Sequence, residues 1–369
     1  PGGGDPGGGD PGGGDPGGDE TFNYNIDSDG DWHSGGSWDQ GLAPDAANHI
    51  VYINRGWADP LITFSATSGT RQIKSLMSTE AIQLTGGTLE ILETANLSGS
   101  FTLAGGTLQG GQITTAGIDV DDSSGNGLDG VTLNGDLLLQ SDHSQVNVSG
   151  GLTLNGTADL SGDAATLRFA GGAQTLTASP GQTATVQMGD AESFMAMFYG
   201  GQLTLDETVT VEGQGEIGYQ GETIINEGTI HANVSGETLE ISPGTFTNSG
   251  TLRVSGGAAL VLEGDWDNQG AVELDEGVLV LGGTFTTAGL NQASLTRGAL
   301  TAVQLTGDLD NAGGVLSEIG EITLNGGSIT DGTSLVDIRA GTNPGSWGAD
   351  VLDGVTLNGD LLLQSDHSQ

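Results

Sequence analysis

TIINEGTI occupies residues 223–230, and TFTNSGTL, DWDNQGAV and DLDNAGGV follow at 245–252, 265–272 and 308–315. Each octet has a large apolar residue second (Ile224, Phe246, Trp266, Leu309) and an asparagine fourth (Asn226, Asn248, Asn268, Asn311). A glycine stands sixth and an aliphatic residue eighth. A degenerate copy with Phe285, Thr287, Gly289 and Leu290 fills the gap, so the polar slots step by 22, 20, 19 and 24 residues. In an extended chain, residues two apart point to the same side, so one column faces inward at every coil. The asparagine column is expected to stack its amides about 4.8 Å apart and to hydrogen-bond from coil to coil.

A second series, LTGGTL at 84–89 and LAGGTL at 103–108, repeats at 19 residues. Short β-branched and leucine runs alternate with Gly, Asn, Asp and Thr turns, and no segment keeps a helical period. The fold class expected is all-β: a right-handed parallel β-helix (β-solenoid) of about 19–24 residues per coil. Right-handedness follows from the general preference of parallel crossovers. About fifteen to seventeen coils at roughly 4.8 Å each would make a rod on the order of 75 Å long.

A larger repeat overlies the coils. LDGVTLNGDLLLQSDHSQ stands at 128–145 and again, letter for letter, at 352–369. The reading is a 224-residue tandem module, 128–351, restarting at 352, with the second copy a cut edge of a longer array. Pro1 lies inside a linker-like repeat without an initiator methionine, so the chain reads as a fragment or processed product.

Three segments are expected. Residues 1–20, PGGGD three times and then PGGDE, form a flexible Gly/Pro-rich linker. Residues 21–60 form an N-terminal cap and first strands. They hold Trp32, Trp38 and Trp57, bulky enough to cover an open first coil. Residues 61–369 form the solenoid. The 68 glycines and a hydrophobic share of 35% leave material only for a thin, regular core, which suits such a fold.

Against 48 acidic residues stand seven basic ones, a formal charge of −41. Binding nucleic acid or an anionic membrane surface needs clustered Lys and Arg, so both are excluded as partners. Such charge suits either adaptation to high salt or an acidic secreted protein. No run approaches about 18 consecutive apolar residues, so no membrane insertion is expected. The absence of cysteine argues against a small disulfide scaffold.

INEGTI, FTNSGTL, DWDNQGAVEL and GGTFTTAGL, with LDGVTLNGDLLL and LTLNGTADL, resemble the β-strand repeats of very large bacterial surface proteins. They are similar to filamentous-haemagglutinin and autotransporter-passenger β-helices, and GDWHSGGSWDQGLAPDAANHIVYI at 30–53 looks like the start segment of such helices. The resemblance spans most of residues 80–369 and implies an exported adhesin or stalk at the cell surface or outside the cell.

Catalytic residues are not found. A polysaccharide lyase needs an Arg or Lys base, yet only Arg71 and Lys74 lie close in sequence. Paired carboxylates of the glycosidase kind arise by accident among so many acids. His143 and His367 occupy one repeat position, and His33, His49 and His231 have no nucleophile in a recognisable elbow. The metal candidate is NIDSDGD at 25–31. Asn25, Asp27, Asp29 and Asp31 place hard oxygens at alternate positions with Gly30 at the bend, as in the first half of a Ca²⁺ loop. Gly36 stands where the bidentate acid would be, which excludes a full EF-hand loop. DVDDSSGNGLDG at 119–130 is a second acidic loop.

MGDAESFMAMFYGG at 188–201 breaks the polar texture, reading either as an adaptable binding patch or as a thicker coil filled by Met and Phe. The functional expectation is a non-catalytic structural or adhesive repeat module of an extracellular filament or cell-surface stalk. Its partners would be neighbouring modules or identical subunits end to end, together with surface glycans. The alternatives are a β-helical glycan-active enzyme, lyase or glycosidase, and a carbohydrate-binding module.

Overall fold

The computed structural model describes residues 18–65, 69–198, 200–341 and 350–363. The chain winds as a parallel β-solenoid of about 14 turns. Every strand pairs in parallel with the strand one coil away. Thr223, Thr245, Asp265, Thr284, Asp308, Ser328 and Val351 form one continuous row across seven coils. Leu84 pairs with Leu103 and Leu89 with Leu108, the register that the 19-residue repeat requires. Among the described residues no helix is long and apolar enough to cross a membrane.

Period-two alternation builds the core. In Glu222–Asn226 the first, third and fifth residues are buried, so Ile224 and Asn226 both face inward. Phe246, Trp266, Phe285 and Leu309 continue the apolar column, all at most 5% exposed. Trp266 stacks on Phe285 with ring centroids 4.1 Å apart, and its indole donates to Gly282 O at 2.9 Å. Aligned rings of this kind add about 0.5–1.5 kcal/mol to the area they bury.

The asparagine ladder is present. Asn226 Nδ2 donates to Asn248 Oδ1, and Asn248 Nδ2 to Asn268 Oδ1, both at 2.6 Å. The glycine two residues on has a packing reason. A Cβ on Gly250 would lie 2.0 Å from Gly228 O, and one on Gly270 2.0 Å from Gly250 O. Successive turns stack too closely for any side chain there.

At the degenerate copy the turn becomes a single helical turn, Thr287–Leu290, capped by Thr286 Oγ1 accepting from Gly289 N at 3.0 Å. Asn268 therefore sends its amide to Leu290 O and Ser294 Oγ. Thr287 Oγ1 donates to Asn311 Oδ1 at 2.5 Å, carrying the polar column into the next coil.

Coil length varies more than the expected 19–24 residues. Register steps run from 16 (Ile322 to Ile338) to 32 (Gly30 to Ile62), with 29 from Ala173 to Gln202. Longer coils leave about 14 turns rather than fifteen to seventeen, and so a shorter rod. In the long coil the surplus enters at the Gly171–Gly172 turn, where both glycines have positive φ, and in the loop 178–183.

At the N-terminus Glu20–Asn23 already pairs in parallel with Ala46–Ile53. Lys74 reaches back to Asp19 at 2.7 Å, so residues 18–20 belong to the folded body. The rest of the linker lies outside the described residues. Phe22, Tyr24, Trp32 and Trp38 close this end at 0–2% exposure. The Trp38 indole donates to Trp32 O (2.7 Å) and the Trp32 indole to Pro44 O (3.3 Å). Trp57, expected in the same cluster, instead stands fully exposed at 103% on a turn.

Candidate functional site

The acidic turn at 25–31 disperses its oxygens. Arg55 Nε donates to Asp27 at 2.8 Å, and Leu61 N to Asp29 at 2.8 Å. Asp31 accepts from Ser65 Oγ (2.5 Å) and His33 N (2.7 Å). Partial burial works to raise the Asp31 carboxyl, but these hydrogen bonds outweigh it and hold it below the usual range. Asn25 is exposed, tied through its backbone N–H to Ser37 O. Among the described residues no three His, Cys, Asp or Glu side chains converge as metal ligands. In the loop 119–130, Asp121 Oδ1 accepts from Ser123 N and Asn126 Nδ2, while buried Asn126 accepts from Gly105 N at 2.6 Å. The first run uses its carboxylates mainly to tie neighbouring coils together, and Asp121 of the second shapes its own turn.

The 188–201 segment does two things at once. Met188, Met195 and Met197 are buried at 0–3% and fill the enlarged coil, while Phe194 is half-buried and Phe198 is 38% exposed. Tyr199 lies outside the described residues. The guanidinium of Arg168 sits 5.2 Å from the Phe198 ring centroid. Beside these rings the next coil presents GYQG, 218–221, with Tyr219 62% exposed between two glycines of positive φ.

That tyrosine turn is braced on three sides. Gly218 N donates to Met195 O at 2.8 Å, and Pro243 packs where a Gly218 Cβ would be. Glu222, only 3% exposed, accepts from Tyr219 N (3.0 Å) and from Met197 N (3.1 Å) through one oxygen. Burial pushes the Glu222 carboxyl up; the two N–H donors oppose that, and nearby Glu216 adds to it.

Two joined clefts result. One, of about 570 Å³, lies among Arg168, Phe194, Phe198, Glu216 and Tyr219. The other, of about 680 Å³, runs past Glu216 and Tyr219 to Glu240, Glu263 and Asp265. Glu216 and Glu240 are direct cross-strand partners. Ser242 Oγ donates to Glu216 at 2.5 Å. The Glu240 carboxyl is pushed up by burial and further by the charges of Glu216 and Glu263.

Sequence reasoning flagged one wall of this cleft and missed the other. Glu216, Tyr219, Glu240 and Glu263 have no local motif, and only the stacking of coils sets them beside Phe194 and Phe198. The exposed tyrosine between two glycines was the available signal.

A third cluster also escaped the linear reading. His231 Nε2 lies 2.8 Å from Ser255 Oγ, and Nδ1 lies 3.8 Å from Glu212. Burial lowers the His231 pKa, helped by Arg253 and opposed by Glu212 and Glu273. The order acid, imidazole, hydroxyl is that of a hydrolytic triad. Yet Glu212, His231, Arg253 and Glu273 are in-register positions of one outer strand row, and Ser255 lines neither cleft. Cross-strand pairing accounts for the cluster. In comparisons with family models, curated proteins and solved structures, nothing matches this chain.

Proposed function

We propose that the chain is a non-catalytic structural and adhesive repeat module of an extracellular filament or cell-surface stalk. The observation that carries this reading is how the restarted repeat behaves. Residues 351–353 pair in parallel on Ser328–Thr330, and 361–362 pair on Ile338–Ala340, so the second copy enters the solenoid as the next coil. Modules of this sequence can therefore extend one rod without a joint, each adding about 4.8 Å per coil. Resemblance to filamentous-haemagglutinin and autotransporter-passenger repeats favours the same use, and the charge of −41 keeps such rods apart in solution. Calcium is left out of this reading, because the 27–31 carboxylates are engaged by separate partners.

Assembly through identical subunits end to end would give filaments, since a head-to-tail contact that does not close propagates. Electron microscopy of the pure protein tests this. Filaments that lengthen with concentration are expected, and short separate rods over a wide concentration range would sink the subunit version.

A second reading, a glycan-active enzyme, is favoured by the carboxylates Glu216 and Glu240 on adjacent strands of the cleft. Incubation with polysaccharides and assay for new reducing or unsaturated ends separates the two, and none are expected.

A further inference from the structure

The geometry points to the joined clefts at Phe194, Phe198, Tyr219, Glu216 and Glu240 as a binding site for a linear, non-anionic oligosaccharide. This names the ligand class of the adhesive reading above and rests on it. It does not depend on whether subunits form filaments.

The shape of the site is the first ground. The cleft crosses the coils that carry Arg168, Phe194, Glu216, Glu240 and Glu263, with Thr284 on the coil beyond. It runs along the solenoid axis, where coils repeat about every 4.8 Å. A pyranose ring is close to that rise in length, so successive rings of a linear sugar chain fall beside successive coils.

Chemistry is the second. Tyr219 and Phe198 are two of the four exposed aromatic side chains among the described residues, and they flank the same compartment. Aromatic faces pack well on the C–H face of a sugar ring, and the tyrosine hydroxyl keeps a polar edge. Beyond Tyr219 the lining turns to carboxylates, Glu216, Glu240, Glu263 and Asp265, with Ser242 and Gln220. Ionised carboxylates only accept hydrogen bonds, so they select a ligand rich in hydroxyl or amine donors. They also repel uronates and sialylated or sulfated chains, since Arg168 is the single cation lining either cleft.

Rigidity is the third. Glu222, Met195 and Pro243 fix the tyrosine turn before any ligand arrives, and preorganisation of this kind lowers the entropic cost of binding. A turn this firmly held has no need of an exposed ring for its own stability.

Titration calorimetry on the full chain, with three hexasaccharide probes, tests the assignment. Hexamers of N-acetylglucosamine and of glucosamine should bind with a Kd below about 1 mM, on the order of 4 kcal/mol, and a galacturonate hexamer should not. Tyr219→Ala should weaken binding at least tenfold, and Tyr219→Phe should retain most of it. Tyr219 is exposed, so both variants should keep the circular dichroism spectrum and melting midpoint of the parent. Absence of binding by both glucosamine-type hexamers, binding unaffected by Tyr219→Ala, or preference for galacturonate would overturn the proposal. So would Tyr219-dependent capture of an oligolysine peptide without sugar binding, which would assign the cleft to a basic polypeptide. Chromatography of the recovered hexamers keeps the two readings apart. Intact sugar supports an adhesive site, whereas shortened sugar would overturn the non-catalytic reading.

Discussion

Asn248 shows how much one residue type decides in this chain. Its amide links Asn226 to Asn268 and also reaches Gly250 O, so a single side chain closes its own turn and ties two neighbouring coils. Replacing it with alanine would strip Asn226 Nδ2 of one acceptor and Asn268 Oδ1 of one donor in a fully buried position. A loss of about 2–4 kcal/mol is expected, from two broken buried hydrogen bonds whose partners stay desolvated. Thr247→Ala, one residue away on the outward face, should cost at most about 0.5 kcal/mol. Urea unfolding of both variants checks this, and equal midpoints would remove the ladder from the account of stability. The ladder was legible in the sequence because its spacing repeats; its upper limit was not. Among the described residues Asn226 Oδ1 is buried without a partner, because Leu205 occupies the matching slot one coil earlier.

Among the elements, the long coil of residues 166–194, with a step of 28 from Thr166 to Phe194, is the one that shapes a cleft. Phe194 and Phe198 lie at the two ends of one strand, half-buried and exposed, while three methionines are buried inside. Glu222 on the following coil holds both pieces. Because its folded-state pKa lies above the unfolded value, it stabilises the fold below the unfolded pKa. That contribution is lost as pH rises through the folded pKa. Glu222→Gln keeps an oxygen for the N–H groups of Met197 and Tyr219 and does not ionise. From about pH 4, near the ordinary glutamate value, upward, the variant should therefore gain stability relative to the parent. Melting midpoints of the two proteins across pH measure the difference, and curves that stay parallel would show that Glu222 carries no such penalty. The Met and Phe content marks 188–201 in the sequence as a break in the polar texture. The cleft is not legible there, because Tyr219 and Glu222 belong to the next coil.

For the whole molecule, charge is the dominant electrostatic fact. With 48 acids against seven bases, repulsion between like charges on stacked coils opposes folding at low ionic strength. The ion pairs are mostly partly exposed, as in Lys74 with Asp19 and Arg339 with Glu321, and pairs of this kind contribute little. Raising salt shortens the screening length from about 10 Å at 0.1 M to about 3 Å at 1 M. The melting midpoint should therefore rise steadily over that range of sodium chloride. A midpoint that falls would mean that attractive pairs outweigh the net repulsion.

LDGVTLNGDLLL at 128–139 and at 352–363 separates what each level decides. The letters alone determine the strand-forming alternation, the turns and the coil period, since these depend on residue spacing and on glycine where coils approach closely. Burial is decided by neighbours. In the first copy Gly127–Leu138 is one continuous strand with coils on both sides, and Leu137 and Leu139 are fully buried. In the second copy the same stretch forms three short strands, and Leu361 and Leu363 are 46% and 56% exposed. Among the described residues no later coil stacks on it. A solenoid coil buries its apolar face only against the coils before and after it. The sequence by itself therefore determined the coil and its repeat, whereas the tertiary stacking decided which leucines are core and which distant side chains share a cleft.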